Sequence, residues 1–219
     1  MNYAALVTAI STYTENTFPT TAMNTFITQA EQRIYNTVQF PSLRKNVTGS
    51  ATASNKYVSC PDDFLATYSF AVISATGDYT YLLNKDVNFI REAYPNSTST
   101  GTPKYYALFG PTIVSSTITN ELSIIVGPTP DIDYNLELHY YYYPTSITTA
   151  NTTWLGDNFD SVLLYGSLVE AYTYMKGEAD IVMGIDAKYK EALALAKRLG
   201  DGMEKQDQYR SGSYRQAVT

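Results

Sequence analysis

The chain contains one histidine, His139, and one cysteine, Cys60. A single imidazole leaves no histidine pair to hold a metal or run a histidine-based relay. A single thiol leaves no intrachain disulfide and no cysteine metal cluster. His139 falls within a tyrosine-rich alternating segment, which suits a hydrogen-bonded structural histidine better than a catalyst. Cys60 precedes Pro61 and reads as a small apolar residue rather than a nucleophile. The run Asp131-Ile132-Asp133-Tyr134-Asn135 resembles the opening of a calcium loop. However, the sixth position, which needs glycine for the sharp turn, is Leu136, and the twelfth, which needs a bidentate glutamate, is Tyr142. That match fails. Asp62-Asp63 reads as a turn leading into a strand, not as a dyad. What remains is glycan hydrolysis by two carboxylates, which need a separation of about 5–10 Å in a cleft. Glu170, Glu137 and Asp133 qualify by type alone, and Glu170, on a mostly apolar helix, reads better as the partner of a basic neighbour. No phosphate-binding glycine loop, G-x-S-x-G or H-E-x-x-H occurs. The expectation is a protein with no cofactor, no metal and no catalytic residues.

Composition points the same way. Of 219 residues, 44% are hydrophobic, enough for a core, but only 16% are charged, against roughly 25% in ordinary soluble domains. Thr, Ser, Asn and 21 tyrosines take the place of the missing charge. Tyrosine is rigid and amphipathic and is enriched where protein faces meet, so a charge-poor, Tyr-rich chain suggests a surface covered by neighbours. Tyr and Thr also simply suit strands, and the two readings are compatible. The net charge of −6 argues against a general nucleic-acid binder, because duplex affinity comes mostly from neutralising phosphates. It is compatible with a wall past which DNA slides. The opening MNYAALVTAISTYTEN lacks the basic start and long apolar run of a signal peptide, and no stretch has the apolar length of a membrane span.

The elements that would position these residues follow from periodicity. Tyr3, Leu6, Val7, Ile10 and Tyr13 or Thr14 form one helical stripe. After a break at Thr17–Thr20, Met23, Phe26, Ile27, Ala30, Ile34 and Val38 form a second, ended by Pro41. From Arg44 to Pro144 short alternating runs separated by Gly, Pro, Asn and Asp predict six or more strands, with one short helix over 85–93. In YNLELHYYYYP, Tyr134, Leu136, Leu138, Tyr140 and Tyr142 share one face of a half-buried antiparallel strand. Helical periodicity returns after Thr153. One helix, capped by Asp157 or Asn158, runs to about Met175 and is apolar almost all round. A second, over 180–199, carries Ile181, Ile185, Tyr189, Ala192, Leu193, Ala196 and Leu199, with Asp186 and Lys190 paired on its wet side. Gly200-Asp201-Gly202 reads as its stop. The expected fold is α+β: a four-helix lobe made by N- and C-terminal helix pairs (1–43 and 151–204), with an antiparallel β-sandwich or barrel-like lobe (44–150) inserted between them. Residues 205–219, with Lys205, Arg210 and Arg215 against Asp207 and the aromatic–basic dipeptides Tyr209-Arg210 and Tyr214-Arg215, form an extended +2 tail without apolar periodicity. It is either a solvated end or an arm that orders on a partner.

Four stretches in order resemble the head-to-tail adaptors of tailed bacteriophages, the family of podovirus adaptors and tail tubular A-type proteins. FITQAEQRIYNTV resembles the family's N-terminal helix, with Ala30, Glu31, Arg33 and Ile34 at its signature positions. CPDDFL (Cys60–Leu65) matches the family's start of a strand, with Cys60 where an aliphatic residue is commoner. The segment from Leu122 to Tyr143 resembles its hairpin, and Leu163–Tyr174 with Tyr189 its closing helix pair. The resemblance implies a structural virion protein of the phage neck, assembled in the host cytoplasm. It implies a ring, usually a dodecamer, that joins the portal protein to the tail nozzle, with fibres as possible further partners. Genomic DNA would pass through the channel without specific binding, and no membrane is involved. It also implies a C-terminal arm docking on the portal, for which Tyr209, Arg210, Tyr214 and Arg215 are the candidate residues. The alternatives are a carbohydrate- or receptor-binding module of a phage tail and, more remotely, a tail-associated cell-wall glycosidase.

Overall fold

The computed structural model describes residues 1–96, 98–114 and 117–210, giving the backbone alone at 41, 111–114, 117–121 and 201–210. The described chain contains seven α-helices and eight strands. It divides into two compact units, Met1–Leu43 with Tyr143–Thr219, and Arg44–Tyr142.

The first unit is helical. Its elements are α1 (Tyr3–Thr14), α2 (Thr20–Thr37), the short α4 (Ile147–Ala150) and α5 (Trp154–Asn158), α6 (Asp160–Tyr174) and α7 (Ala179–Arg210). Helix α6 touches α1, α2 and α7. It buries Val162, Leu163, Leu164, Leu168 and Ala171, as an all-apolar helix should. Gly166 makes this central position possible: a Cβ there would lie 3.1 Å from the Tyr189 ring on α7 and 3.2 Å from Ala30 on α2. Helix α2, with its C-cap residue Val38, buries the whole predicted stripe.

Three local readings differ from the structure. The expected cap at Asp157 or Asn158 is not used: a separate helical turn, α5, is capped by Thr153, whose side chain accepts from the Gly156 N–H, and α6 begins after Phe159. Over 179–200 of α7 the buried residues are Tyr189, Ala192, Ala196 and Gly200, while Ile185 and Leu193 are only partly covered and Ile181 and Leu199 are exposed. The expected stop at Gly200 is also absent, and α7 continues to Arg210, so residues 205–210, read as the start of an extended tail, are helical instead. Gly200 serves close approach instead of termination. A Cβ on it would lie 2.7 Å from the Gln39 carbonyl oxygen, so the helix can pass this backbone only without a side chain.

The second unit is a β-sandwich. One sheet has the order β1 (Arg44–Ala51), β8 (Tyr134–Tyr141), β3 (Ala66–Ile73), β4 (Tyr79–Tyr81). The other has β2 (Tyr57–Ser59), β7 (Thr117–Gly127), β6 (Tyr105–Val114), β5 (Leu83–Asn84). Their shared core contains Phe64, Phe70, Val72, Tyr106, Ile124, Val126, Leu136, Leu138 and Tyr140. The alternation of β8 is therefore realised. The sheets are not wholly antiparallel, because β5 runs parallel to β6. A parallel pair needs a crossover, and α3 (Val87–Ala93), capped by the Asp86 side chain, lies in that connection. It covers the outer face of the second sheet, with Ile90 packed against Ala107 and Ile125.

Candidate interaction surfaces

The carboxylates singled out by type all have structural partners. Asp131 Oδ1 accepts from the Tyr134 hydroxyl at 2.7 Å, and Asp133 Oδ1 from the Ala53 N–H at 2.7 Å. Glu137 accepts from the Tyr79 hydroxyl at 3.0 Å, and Glu170 pairs with Arg33. Asp63 accepts from Lys45 Nζ at 2.8 Å and from the Tyr140 hydroxyl at 2.7 Å. The hydrogen bond from Lys45 is the main reason its carboxyl sits below the usual range. No group of three or more His, Cys, Asp or Glu able to hold a metal occurs among the described residues.

His139 lies on the outer face of the first sheet. Because Leu136, Leu138 and Tyr140 point into the core, period-two alternation puts Asn135, Glu137, His139 and Tyr141 on the opposite face. There the pairing register sets Arg44 opposite Tyr141, and Tyr81 and Glu137 either side of Ala71. A bulge between Thr67 and Ser69 frees Tyr68 from the ladder. The Tyr68 ring meets His139 edge-on at 5.0 Å and Tyr141 at 5.8 Å, and the Arg44 guanidinium stands 4.7 Å from its centre. Desolvation, reinforced by Arg44, lowers the His139 pKa, so the imidazole is neutral at neutral pH. Tyr68, Tyr79 and Tyr81 remain exposed, Tyr81 to 65%. This is a rigid aromatic face with one buttressed cation, suited to binding a protein surface rather than to proton transfer. The sequence predicted strands here but not the bulge. Inward-facing Thr67 and Phe70 are three positions apart instead of two, a phase change that becomes legible only against the partner strand.

Tyr209 and Arg210 lie at the end of α7, where only the backbone is described. Tyr214 and Arg215 lie outside the described residues.

The signature positions in α2 are structural. Glu31 is 2% exposed, and its carboxylate accepts the Ile147 N–H at the start of α4. Arg33 pairs with Glu170 of α6 and stands 6.0 Å from the Tyr189 ring. One turn of helix thus ties the N-terminal segment to three later ones. A family profile described as SU10 adaptor protein matches residues 1–217, covering every one of these contacts. The chain belongs to the SU10 adaptor protein family. Comparison with curated proteins returns no match. Membership bears out the resemblance to phage head-to-tail adaptors read from the four sequence stretches, and it makes this a structural adaptor protein of the phage neck. Membership of the family implies contacts with other virion components. Among the described residues no helix is long and apolar enough to cross a membrane.

Proposed function

We propose that this adaptor is one subunit of a twelve-fold ring beneath the portal, joining portal to tail nozzle and surrounding a channel through which DNA passes without specific binding. The observation that carries the reading is the adaptor-family match over residues 1–217. The low charge and the exposed tyrosines support it, since both suit a surface that neighbours cover. The net negative charge keeps free subunits apart and DNA from sticking. The α1, α2, α6 and α7 helices form the four-helix lobe of the subunit, and residues 205–219 form the arm that docks on the portal through Tyr209, Arg210, Tyr214 and Arg215. Tyr and Arg are the side chains most enriched at interface hot spots.

The test is co-expression of the full chain, and of a chain lacking residues 206–219, with the portal of the same phage. Rings on the portal in negative stain, and loss of portal capture on truncation without loss of folding, are expected. Failure of the full chain to capture portal sinks the ring reading. Full-strength capture by the truncated chain sinks the arm alone.

A further inference from the structure

The sandwich is unfinished along β1. Val47 and Gly49 stand opposite Leu138 and Leu136, on the side that faces the core. Yet Val47 is 36% exposed, and a Cβ built on Gly49 meets nothing within 4 Å. Across from them β2 is an edge of only three residues. Between the two edges opens a cavity of about 340 Å³ whose walls include Val58, Cys60, Phe70 and Ile124 and whose lining contains no charged residue. Strand β1 pairs with β8 alone among the described residues, so its Lys45–Ala51 stretch has no strand along the other edge. An open edge beside an apolar cavity invites an extended, uncharged segment to add to it.

The same chain carries such a segment. The β6–β7 ladder continues to Thr112 opposite Asn120, Ile113 opposite Ile118 and Val114 opposite Thr117. Its neighbours stop short: β2 meets β7 only at 123–125, and β5 meets β6 only at 105–106. From Gly110 to Asn120 the sequence GPTIVSSTITN has no charge and is rich in β-branched residues. A two-stranded ribbon on its own is marginally stable in water. Pairing that runs from Tyr105 opposite Gly127 to Val114 opposite Thr117, through register shifts after Leu108, Gly110 and Thr112, ties the ribbon to its own sheet, so folding back to its own β1 would break those pairs.

We propose that the β6–β7 ribbon of one copy lies along β1 of a second copy, its apolar residues filling the cavity beside Val47 and Gly49. Groove and ribbon are different surfaces, so every copy gives one and receives one. A heterologous contact of this kind closes into a ring when its rotation permits. The inference rests on the ring reading and names the contact that would make the ring.

Portal-bound assemblies are formed from ¹⁵N-labelled chain mixed with unlabelled chain carrying p-benzoyl-phenylalanine at Ile118, then irradiated and digested with trypsin. The expected product joins the unlabelled ribbon peptide to labelled peptides 46–56 or 57–85. Cross-links confined to one chain, to portal, or to another face of the neighbour overturn the proposal. Intact assemblies with no cross-link remove this contact and leave the ring standing; absence of any assembly removes both. As a second arm, Gly49→Trp has open space to occupy and should leave the free subunit's melting temperature unchanged. It should enter mixed assemblies at least tenfold less than the unsubstituted chain, and equal incorporation would overturn the assignment.

Discussion

The buried carboxylate of Glu31 on α2 accepts the Ile147 N–H across 2.9 Å, with the Ser146 hydroxyl as a second donor. It thereby satisfies a free N–H at the start of α4, a segment 116 residues away. Burial raises the Glu31 pKa above 4.5, and the two hydrogen bonds only partly offset this. For an acid whose folded pKa is raised, the contribution to stability is full below the unfolded value and is lost as pH rises through the folded one. Urea unfolding of the native chain should therefore show a loss of stability above pH 4.5 that Glu31→Gln lacks, since the amide oxygen still accepts but does not ionise. Glu31→Leu leaves the Ile147 N–H unsatisfied and should cost about 1–3 kcal/mol at pH 7. Parallel pH profiles for the native chain and Glu31→Gln would show that Glu31 does not titrate in this way.

Gly200→Ala tests the close passage of α7. In an exposed helix this change gains about 1 kcal/mol. Here the added Cβ would lie 2.7 Å from a backbone oxygen, which cannot swing aside as a flexible side-chain end can. A loss of about 1–3 kcal/mol in denaturant unfolding is expected, and a gain would mean that Gly200 is an ordinary helical glycine.

The Tyr189 hydroxyl is buried and has no hydrogen-bond partner, while its ring packs on Gly166. Tyr189→Phe should therefore leave thermal stability unchanged or raise it, because a desolvated, unpaired hydroxyl is removed. Tyr189→Ala should cost about 3–5 kcal/mol through lost ring packing. A clear drop for the phenylalanine variant would reveal a partner for the hydroxyl.

Burial pushes the Cys60 thiol up to about 11. The native chain at pH 8 should react with iodoacetamide at least tenfold more slowly than the urea-unfolded chain, because the thiolate is the reactive form. Mass spectrometry of the modified fraction over time measures the ratio, and equal rates would contradict the burial.

Helix stripes and strand alternation carried most of the fold. The apolar positions of α2 and β8 fix which face turns inward whatever packs against it. The spacing on α7 left a choice, because the stripe is wider than the contact. Close packing against α6 and the Val38–Gln39 segment selected Ala192, Ala196 and Gly200 over the larger Ile185 and Leu193, and nothing in one helix's sequence announces its neighbour's distance. Glu31 was legible in principle: it stands four residues after Ile27 and three before Ile34, a charge on the buried stripe. The aromatic outer face and the open groove were not legible, since one depends on a bulge and the other on which strands fall at sheet edges.

The sandwich begins and ends at neighbouring points, with Arg44 opposite Tyr141 in the ladder. As the ribosome releases the chain, the N-terminal helices must wait for residues after 142 before their buried faces can be covered. Joining helices across a flexible segment of about a hundred residues costs about 4 kcal/mol of chain entropy. A sandwich that has already folded brings those two points together in advance. The inserted sheets therefore shorten the path between the halves of the helical unit, and damage to the β1–β8 pairing should slow formation of helical contacts it does not touch.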